Sequence, residues 1–334
     1  MAGTERPRSE LQHGALITVF GGSGFIGQHV VQALGSRGYR IRVAVRRPNE
    51  ALFLKMSGVV GQIEPVQTNI RDEASVRAAV AGASAVINLV GILSQSGKQT
   101  FNAVHAEGSE RIARLAKAAG VPIFIQMSAL GADADSPSRY SQSKAAGEAA
   151  VLAHYRDAAI LRPSVVFGAD DQFFNRFAAL ARLSPIVPLV GANTYFQPVY
   201  VKDIAEAVLR ALETDAADGK IIELGGPAHF TMRQIMELML QVIRRKRLLI
   251  AVPMAFAKMK AFFLQMLPNP ILTVDQCRSL AIDNVVSQEA IAEGRTLEGL
   301  GLTATAVQTI LPTYLGRFRR RGQFEPAAEP QLQD

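Results

Sequence analysis

The sequence predicts an α/β fold, a doubly wound parallel sheet with a smaller C-terminal lobe. From Ala15 to about Ile125, short apolar runs alternate with helical stretches, the pitch of a sheet whose strands are joined by crossover helices. A glycine-dense stretch, Gly21–Gly27, directly follows the first apolar run. Beyond Gly168 the alternation breaks down, so this half is expected to supply the last sheet strands and a lobe covering the cleft.

Each element has its own signal. Leu16–Phe20 is an apolar, β-branched run and reads as a buried strand. Phe25–Ser36 has helical periodicity. Ile41–Val45 and Ile63–Gln67 follow as strands, Asp72–Ala81 as a helix and Ala85–Val90 as the fourth strand. Ala103–Ala119 reads as an alanine-rich helix stopped by Gly120, and Val121–Met127 as the fifth strand. Tyr140–Tyr155 is helical and Ala159–Pro163 strand-like. Helices are then expected at Phe173–Leu183, Asp203–Glu213 and Thr231–Arg245, a short strand and turn within Gly219–Gly226, and proline-punctuated chain over Ser184–Val190. The divisions are a flexible tail at 1–14, a nucleotide-binding core at 15–168, the last strands and lobe at 169–324, and a Pro/Ala/Gln/Glu-rich tail at 325–334, expected to be disordered.

Composition narrows the function. The chain has 334 residues, 49% hydrophobic and 19% charged, enough to bury a sizeable core. Its single cysteine, Cys277, excludes an internal disulfide framework and is expected to be a buried small hydrophobe. The five histidines are scattered, so no metal site is expected. A net charge of +7 leaves nucleic acid, an anionic membrane or a phosphorylated ligand as partners. The longest apolar candidate, Ala251–Leu267, is broken by Lys258 and Lys260 and cannot span a bilayer. Met1–His13 lacks an apolar core and reads as a polar tail.

Gly21, Gly22, Ser23, Gly24, Phe25, Ile26 and Gly27 satisfy both GxGxxG and GxxGxxG between a strand and a helix. The chain must turn sharply there, and its backbone must approach a pyrophosphate without a Cβ in the way. The helix N-terminus then favours the anion. The second strand ends in Arg46 and Arg47, with no carboxylate until Glu50. A carboxylate would bind a free ribose hydroxyl, whereas arginine pairs with a 2′-phosphate, so NADP(H) is favoured over NAD(H). The plainer reading of the two arginines is solvated surface charge.

Ser128 ends the fifth strand, and Tyr140 and Lys144 stand at i and i+4 on one face of the next helix. The ammonium is expected to lower the phenol pKa, fitting Tyr140 for acid/base work. Lys144 is expected to reach the nicotinamide ribose, and Ser128 a substrate carbonyl. This order of motifs resembles the extended or atypical short-chain dehydrogenase/reductase superfamily, with its Rossmann-type sheet. The resemblance implies that Asn69 and Ile70 contact adenine. It implies too that Leu89, Val90 and Gly91 run beside the cofactor, and that Pro163, Ser164, Val165 and Val166 line the nicotinamide. The interval from Ser128 to Tyr140 is shorter than in many extended reductases.

Over residues 15 to 324 the chain more closely resembles the nucleotide-binding accessory subunit of respiratory complex I and its bacterial relatives. Gln197-Pro198-Val199-Tyr200-Val201 with Asp203, and Leu297-Glu298-Gly299-Leu300-Gly301, carry that likeness outside the superfamily core. It implies a bound, structural NADPH or NADP, a partnership with complex I subunits near the quinone-binding region, and a peripheral place on the cytoplasmic side of a bacterial inner membrane (the matrix side in a eukaryote). The alternatives are an active NADPH-dependent reductase or epimerase acting on a quinone-pathway or lipid-like carbonyl, and a free nucleotide-sensing scaffold.

Two basic surfaces remain. Arg244-Arg245-Lys246-Arg247 leads into Leu248-Leu249-Ile250 and the apolar stretch Pro253–Leu267. The first expectation there is an ordinary helix packed on the lobe core; the second is an interface with an anionic membrane or membrane subunits. Arg317-Phe318-Arg319-Arg320-Arg321 comes with no nucleic-acid motif, so nucleic acid is not expected as a partner. His105, near Glu107 and Arg111, is read as a helix-face residue rather than half of a catalytic dyad.

Overall fold

Six strands and four helices build the first half, alternating except between the second and third strands, which are joined through a 3-10 segment (Pro48–Ser57). They are β1 (Leu16–Phe20), α1 (Phe25–Ser36), β2 (Arg40–Val45), β3 (Ile63–Gln67), α2 (Glu73–Val80), β4 (Ala85–Asn88), α3 (Glu107–Ala118), β5 (Ile123–Met127), α4 (Arg139–Leu152) and β6 (Ala159–Pro163). The computed structural model describes Leu11, residues 14–265, residues 272–320 and Gly322. The expectations for most of the N-terminal tail, for Met266 and Leu267, for Arg321 and for the tail at 325–334 lie outside these residues.

The second half contributes β7 (Val166–Phe167), α5 (Phe174–Leu183), β8 (Ile186–Val190), β9 (Tyr195–Phe196), β10 (Val199–Tyr200), α6 (Val201–Glu213) and β11 (Ile221–Leu224). After these come β12 (Phe230–Thr231), α7 (Met232–Val242), β13 (Leu248–Val252), α8 (Met254–Leu264), α9 (Val274–Ser279), α10 (Gln288–Ala292) and α11 (Val307–Leu315). The main sheet has seven parallel strands in the order β3-β2-β1-β4-β5-β6-β11. Strand order reverses between β1 and β4, which opens a crevice at their carboxyl ends.

The strands are apolar on both sides because both faces are covered. Ile17 and Val19 of β1 pack with Val30, Val31 and Leu34 of α1 and with α6. Phe20, pointing the other way, joins Val76 of α2, Ile112 of α3 and Val151 of α4. β11 closes the edge beyond β6 after a long excursion through the lobe. There Arg162 of β6 makes a bidentate pair with Glu148 of α4 at 2.8 and 2.6 Å. Glu223 of β11 lies 3.9 Å from the same guanidinium and accepts the Ser287 N–H at 2.7 Å. Both carboxylates are buried, so this network ties sheet, helix and lobe together.

The lobe has its own core, in which Phe174 and Ala178 of α5 meet Ile235, Met236 and Met239 of α7 and Leu311 and Leu315 of α11. Two expectations change here. The fourth strand ends at Asn88 rather than Val90, because the Asn88 side chain turns back and accepts the Val90 N–H at 3.2 Å. The proline-punctuated stretch contains a strand, β8, paired in parallel with β13. Pro188 is tolerated because β8 has a ladder on one side only.

Candidate functional site

The crevice between β1 and β4 carries the glycine loop. Gly21 has φ +78°, a left-handed turn that lets the chain leave β1 and enter α1 at once. A Cβ on Gly27 would stand 2.4 Å from the Gly21 carbonyl oxygen and 2.6 Å from Gly22 Cα. The helix therefore sits against the turn as only glycine permits. Ser23 and Gly24 are exposed at the tip, Gly22 is buried beneath, and Phe25 and Ile26 are half-buried in the first turn of α1. No side chain caps that turn, which leaves backbone N–H groups and the positive end of the helix for an anion.

The other predicted cofactor residues line the same carboxyl edge of the sheet. Arg46 and Arg47 are exposed just past β2, and Arg47 pairs with Glu50 at 2.8 Å. Asn69 follows β3, with its side chain accepting the Arg71 N–H at 3.1 Å, and Ile70 beside it packs toward Gly108 of α3. Leu89, Val90 and Gly91 run out from β4, the first two half-buried and Gly91 exposed; Leu89 and Val90 abut Gly21. Pro163 and Ser164 are buried at the end of β6, while Val165 and Val166 are half-buried. The Ser164 hydroxyl is held by the Asn284 side chain at 2.7 Å.

Ser128 directly follows β5, Lys144 of α4 reaches the adjacent Met127 carbonyl, and Tyr140 stands one turn earlier on the same helix. Ser128 is 4% exposed, and its Oγ has no hydrogen-bond partner among the described residues. Thr68 Oγ1, just beyond β3, is a second buried hydroxyl in that condition. Such atoms are costly to leave unpaired and are met by a ligand or by ordered water. Lys144 Nζ donates to the Met127 carbonyl at 3.2 Å and lies against Gly91. Burial brings its pKa down to about 8, with Glu148 opposing. For Tyr140 the expected lowering is corrected: burial pushes the phenol up to about 12, and the neighbouring ammonium does not reverse it.

Residues outside the predicted set hold this corner. His105 lies in a π turn (Asn102–Ala106) ahead of α3 and is buried. It stacks on Phe101 with ring centroids 5.6 Å apart and meets Tyr140 edge-on at 5.5 Å. Its Nε2 accepts the Ile92 N–H at 2.9 Å, so Nδ1 carries the proton and donates to Ser143 Oγ, 2.9 Å away. Burial and Lys144 drive its pKa down to about 3. His105 is thus a neutral strut. Glu107 and Arg111 bond elsewhere, to Asn102 and the Ile70 carbonyl, so no dyad forms.

The tyrosine helix is capped twice. Ser138 Oγ accepts the Ser141 N–H at 3.4 Å. Asp275 of α9 accepts the Arg139 N–H at 2.7 Å, the Tyr140 N–H at 3.0 Å and the Ser138 hydroxyl at 3.0 Å. A carboxylate at a helix N-terminus is favoured by the dipole. Nothing local in the sequence announces Asp275, which reaches α4 from the far lobe.

A glycine cradle that a Cβ would fill and buried hydroxyls without partners fit a dinucleotide laid along the crevice. The family model for the NAD dependent epimerase/dehydratase family matches residues 17–225. The chain is homologous to the mitochondrial NADH dehydrogenase [ubiquinone] 1 alpha subcomplex subunit 9. It is 36% identical to the Arabidopsis thaliana protein over 83% of this chain and 72% of that one. Identity to the Dictyostelium discoideum protein is 32%, over 98% and 93%. A ceramide reductase of Caulobacter vibrioides is 30% identical over 71% of this chain and 74% of its own. Among solved structures, an NADPH-dependent quinone oxidoreductase of Escherichia coli superposes with a TM-score of 0.71 at 19% identity, covering 89% of this chain and 99% of its own. The resemblance read from the motifs is therefore borne out, and the chain belongs to the NAD dependent epimerase/dehydratase family.

Proposed function

We propose that this chain is an NADP(H)-binding accessory protein of respiratory complex I, with the nucleotide held as a structural element. The observation that carries this reading is likeness to the alpha subcomplex subunit over 98% of the chain, which takes in the lobe as well as the sheet. The glycine loop would hold the pyrophosphate through backbone N–H groups. Arg46 and Arg47 would pair with a 2′-phosphate, Asn69 and Ile70 would border adenine, and Lys144 the nicotinamide ribose. Leu89–Gly91 and Pro163–Val166 would flank the nicotinamide half. Held as a structural element the nucleotide would transfer no hydride; in the reductase reading below, its reduced form would supply one. The partners would be complex I subunits near the quinone-binding region. The place would be peripheral, on the cytoplasmic face of a bacterial inner membrane or the matrix face of a mitochondrial one.

The test is extraction from native membranes in mild detergent, sizing, mass spectrometry of the partners and assay of released nucleotide. Co-migration with complex I and stoichiometric NADP(H) are expected. A free protein that exchanges its nucleotide readily would overturn the reading. For cofactor choice, Arg46→Ala with Arg47→Ala removes charge-assisted contacts of about 1.5–3 kcal/mol each, so NADPH should weaken at least tenfold while NADH barely changes.

A second reading, an NADPH-dependent reductase of a lipid-like carbonyl, is favoured by the unpartnered Ser128 hydroxyl and by likeness to the ceramide reductase. Ser128 would orient the carbonyl oxygen. Tyr140, its phenol held protonated with a pKa near 12, would donate the proton rather than accept one. Tyr140→Phe separates the readings: it abolishes turnover with nucleotide binding intact in a reductase, and leaves complex assembly untouched in an accessory protein.

A further inference from the structure

The lobe carries an apolar helix that its own core leaves open. α8 buries only Ala257 and Ala261. Phe256 is 43% exposed, Met259 53%, Phe262 51% and Phe263 65%. The expected packing on the lobe is made through Ala257 and Ala261 against Cys277 of α9, while the opposite face stays exposed.

The exposed residues are not scattered. At 3.6 residues per turn, Phe262, Ala255, Met259, Phe263 and Phe256 fall within one arc of about 120° opposite the buried alanines. Lys258 and Lys260 fall just outside the two ends of that arc, one on each border, by the same geometry. α8 contains no acidic residue. Lys260 Nζ lies 4.8 Å from the Phe256 ring centroid, so its stem runs along the apolar rim with its charge at the edge.

The strand that feeds α8 continues the pattern. Leu248 is 61% exposed and Ile250 41%, and Ile186, opposite Leu248 in register, is 42% exposed. Beside Leu248 lies a groove of about 690 Å³ whose lining includes Arg233, Arg244, Lys246 and Arg247, with Glu237 as its acidic member.

We propose that α8 and the adjoining edge of β13 dock this protein on an anionic lipid bilayer, with the helix axis in the membrane plane. An apolar stripe bordered on both sides by lysines suits the boundary between acyl chains and phosphate headgroups. The border lysines stand where headgroup phosphates would meet them, and α8 has no acidic residue to oppose that contact. The excess of cations around β13 and α8 complements phosphate. The proposal stands apart from the complex I assignment, since it needs neither complex I nor a nucleotide.

The sequence contains no tryptophan, so Phe262→Trp places a single fluorophore on the stripe of the full chain. The probes are vesicles of phosphatidylcholine alone and of phosphatidylcholine with phosphatidylglycerol in equal parts. With the mixed vesicles the emission should shift to the blue and be quenched by brominated acyl chains. Sedimentation of the unlabelled protein should show at least tenfold weaker binding to phosphatidylcholine alone, from about 1 kcal/mol per surface cation. Phe263→Ser with Met259→Ser should cut binding tenfold or more with the melting temperature unchanged. Lys258→Gln with Lys260→Gln should remove most of the preference for the anionic lipid. Unmoved emission, equal binding to both vesicles, or full binding by the serine variant would each overturn the proposal. So would a protein partner that occupies the stripe in the absence of lipid.

Discussion

Replacing Lys144 by methionine removes a buried cation while keeping most of its stem. In the fold the ammonium titrates at about 8, against 10.5 for an ordinary lysine. Holding it charged at pH 7 therefore costs about 3 kcal/mol of stability. Lys144→Met abolishes that cost but also loses the hydrogen bond to the Met127 carbonyl at 3.2 Å, a loss of about 1 kcal/mol. The variant should thus be more stable than the parent by about 2 kcal/mol at pH 7. Between pH 8 and 10.5 the unfolded chain keeps a proton that the fold has released, so the parent gains stability as pH rises. The variant's advantage should shrink across that window and end as a deficit of about 1 kcal/mol. Urea unfolding of the nucleotide-free proteins at a series of pH values measures this, because the other titrations cancel in the difference. A difference independent of pH, or a parent that is the more stable at pH 7, would refute the reasoning.

Gly27→Ala forces a Cβ into backbone on two sides. It should cost about 1–3 kcal/mol and reduce the melting-temperature rise produced by NADPH. Ser128→Ala removes a buried hydroxyl without a partner; thermal melting should show a gain of about 1 kcal/mol, and a clear loss would mean that the hydroxyl is satisfied in solution. Glu148→Gln leaves the half-buried Arg162 guanidinium without its buried carboxylate partner, with an expected loss of about 3 kcal/mol in chemical denaturation. Asp275→Asn weakens the cap on α4 by about 1 kcal/mol and should raise amide exchange in the first turn of that helix.

The alternating half was legible because its strands are buried on both faces and its loop has to be glycine. β1, β3, β6 and α1 have the boundaries read from the sequence. β8 was not, since two prolines hide a strand whose partner, β13, lies far along the chain. His105 gave only the signal of a histidine in a helical stretch; its role depends on Ile92 and Ser143 arriving at its two nitrogens. Asp275 gave none, because its capping partners are more than a hundred residues away. The i, i+4 spacing put Tyr140 and Lys144 on one helix, but spacing says nothing about burial, and burial is what shifts the phenol.

The late arrival of β11 bears on biosynthesis. While the ribosome has delivered only the first six strands, β6 presents a bare hydrogen-bonding edge, and the Arg162–Glu148 pair lacks the strand that covers it. That edge is a template for pairing with another nascent chain. It stays open until residues past Leu224 leave the exit tunnel, and Ser287 must follow before Glu223 is satisfied. The nucleotide-binding half therefore cannot mature ahead of the rest. A chain stopped near residue 168 should enter the chaperone and protease pool instead of yielding a small dinucleotide-binding domain.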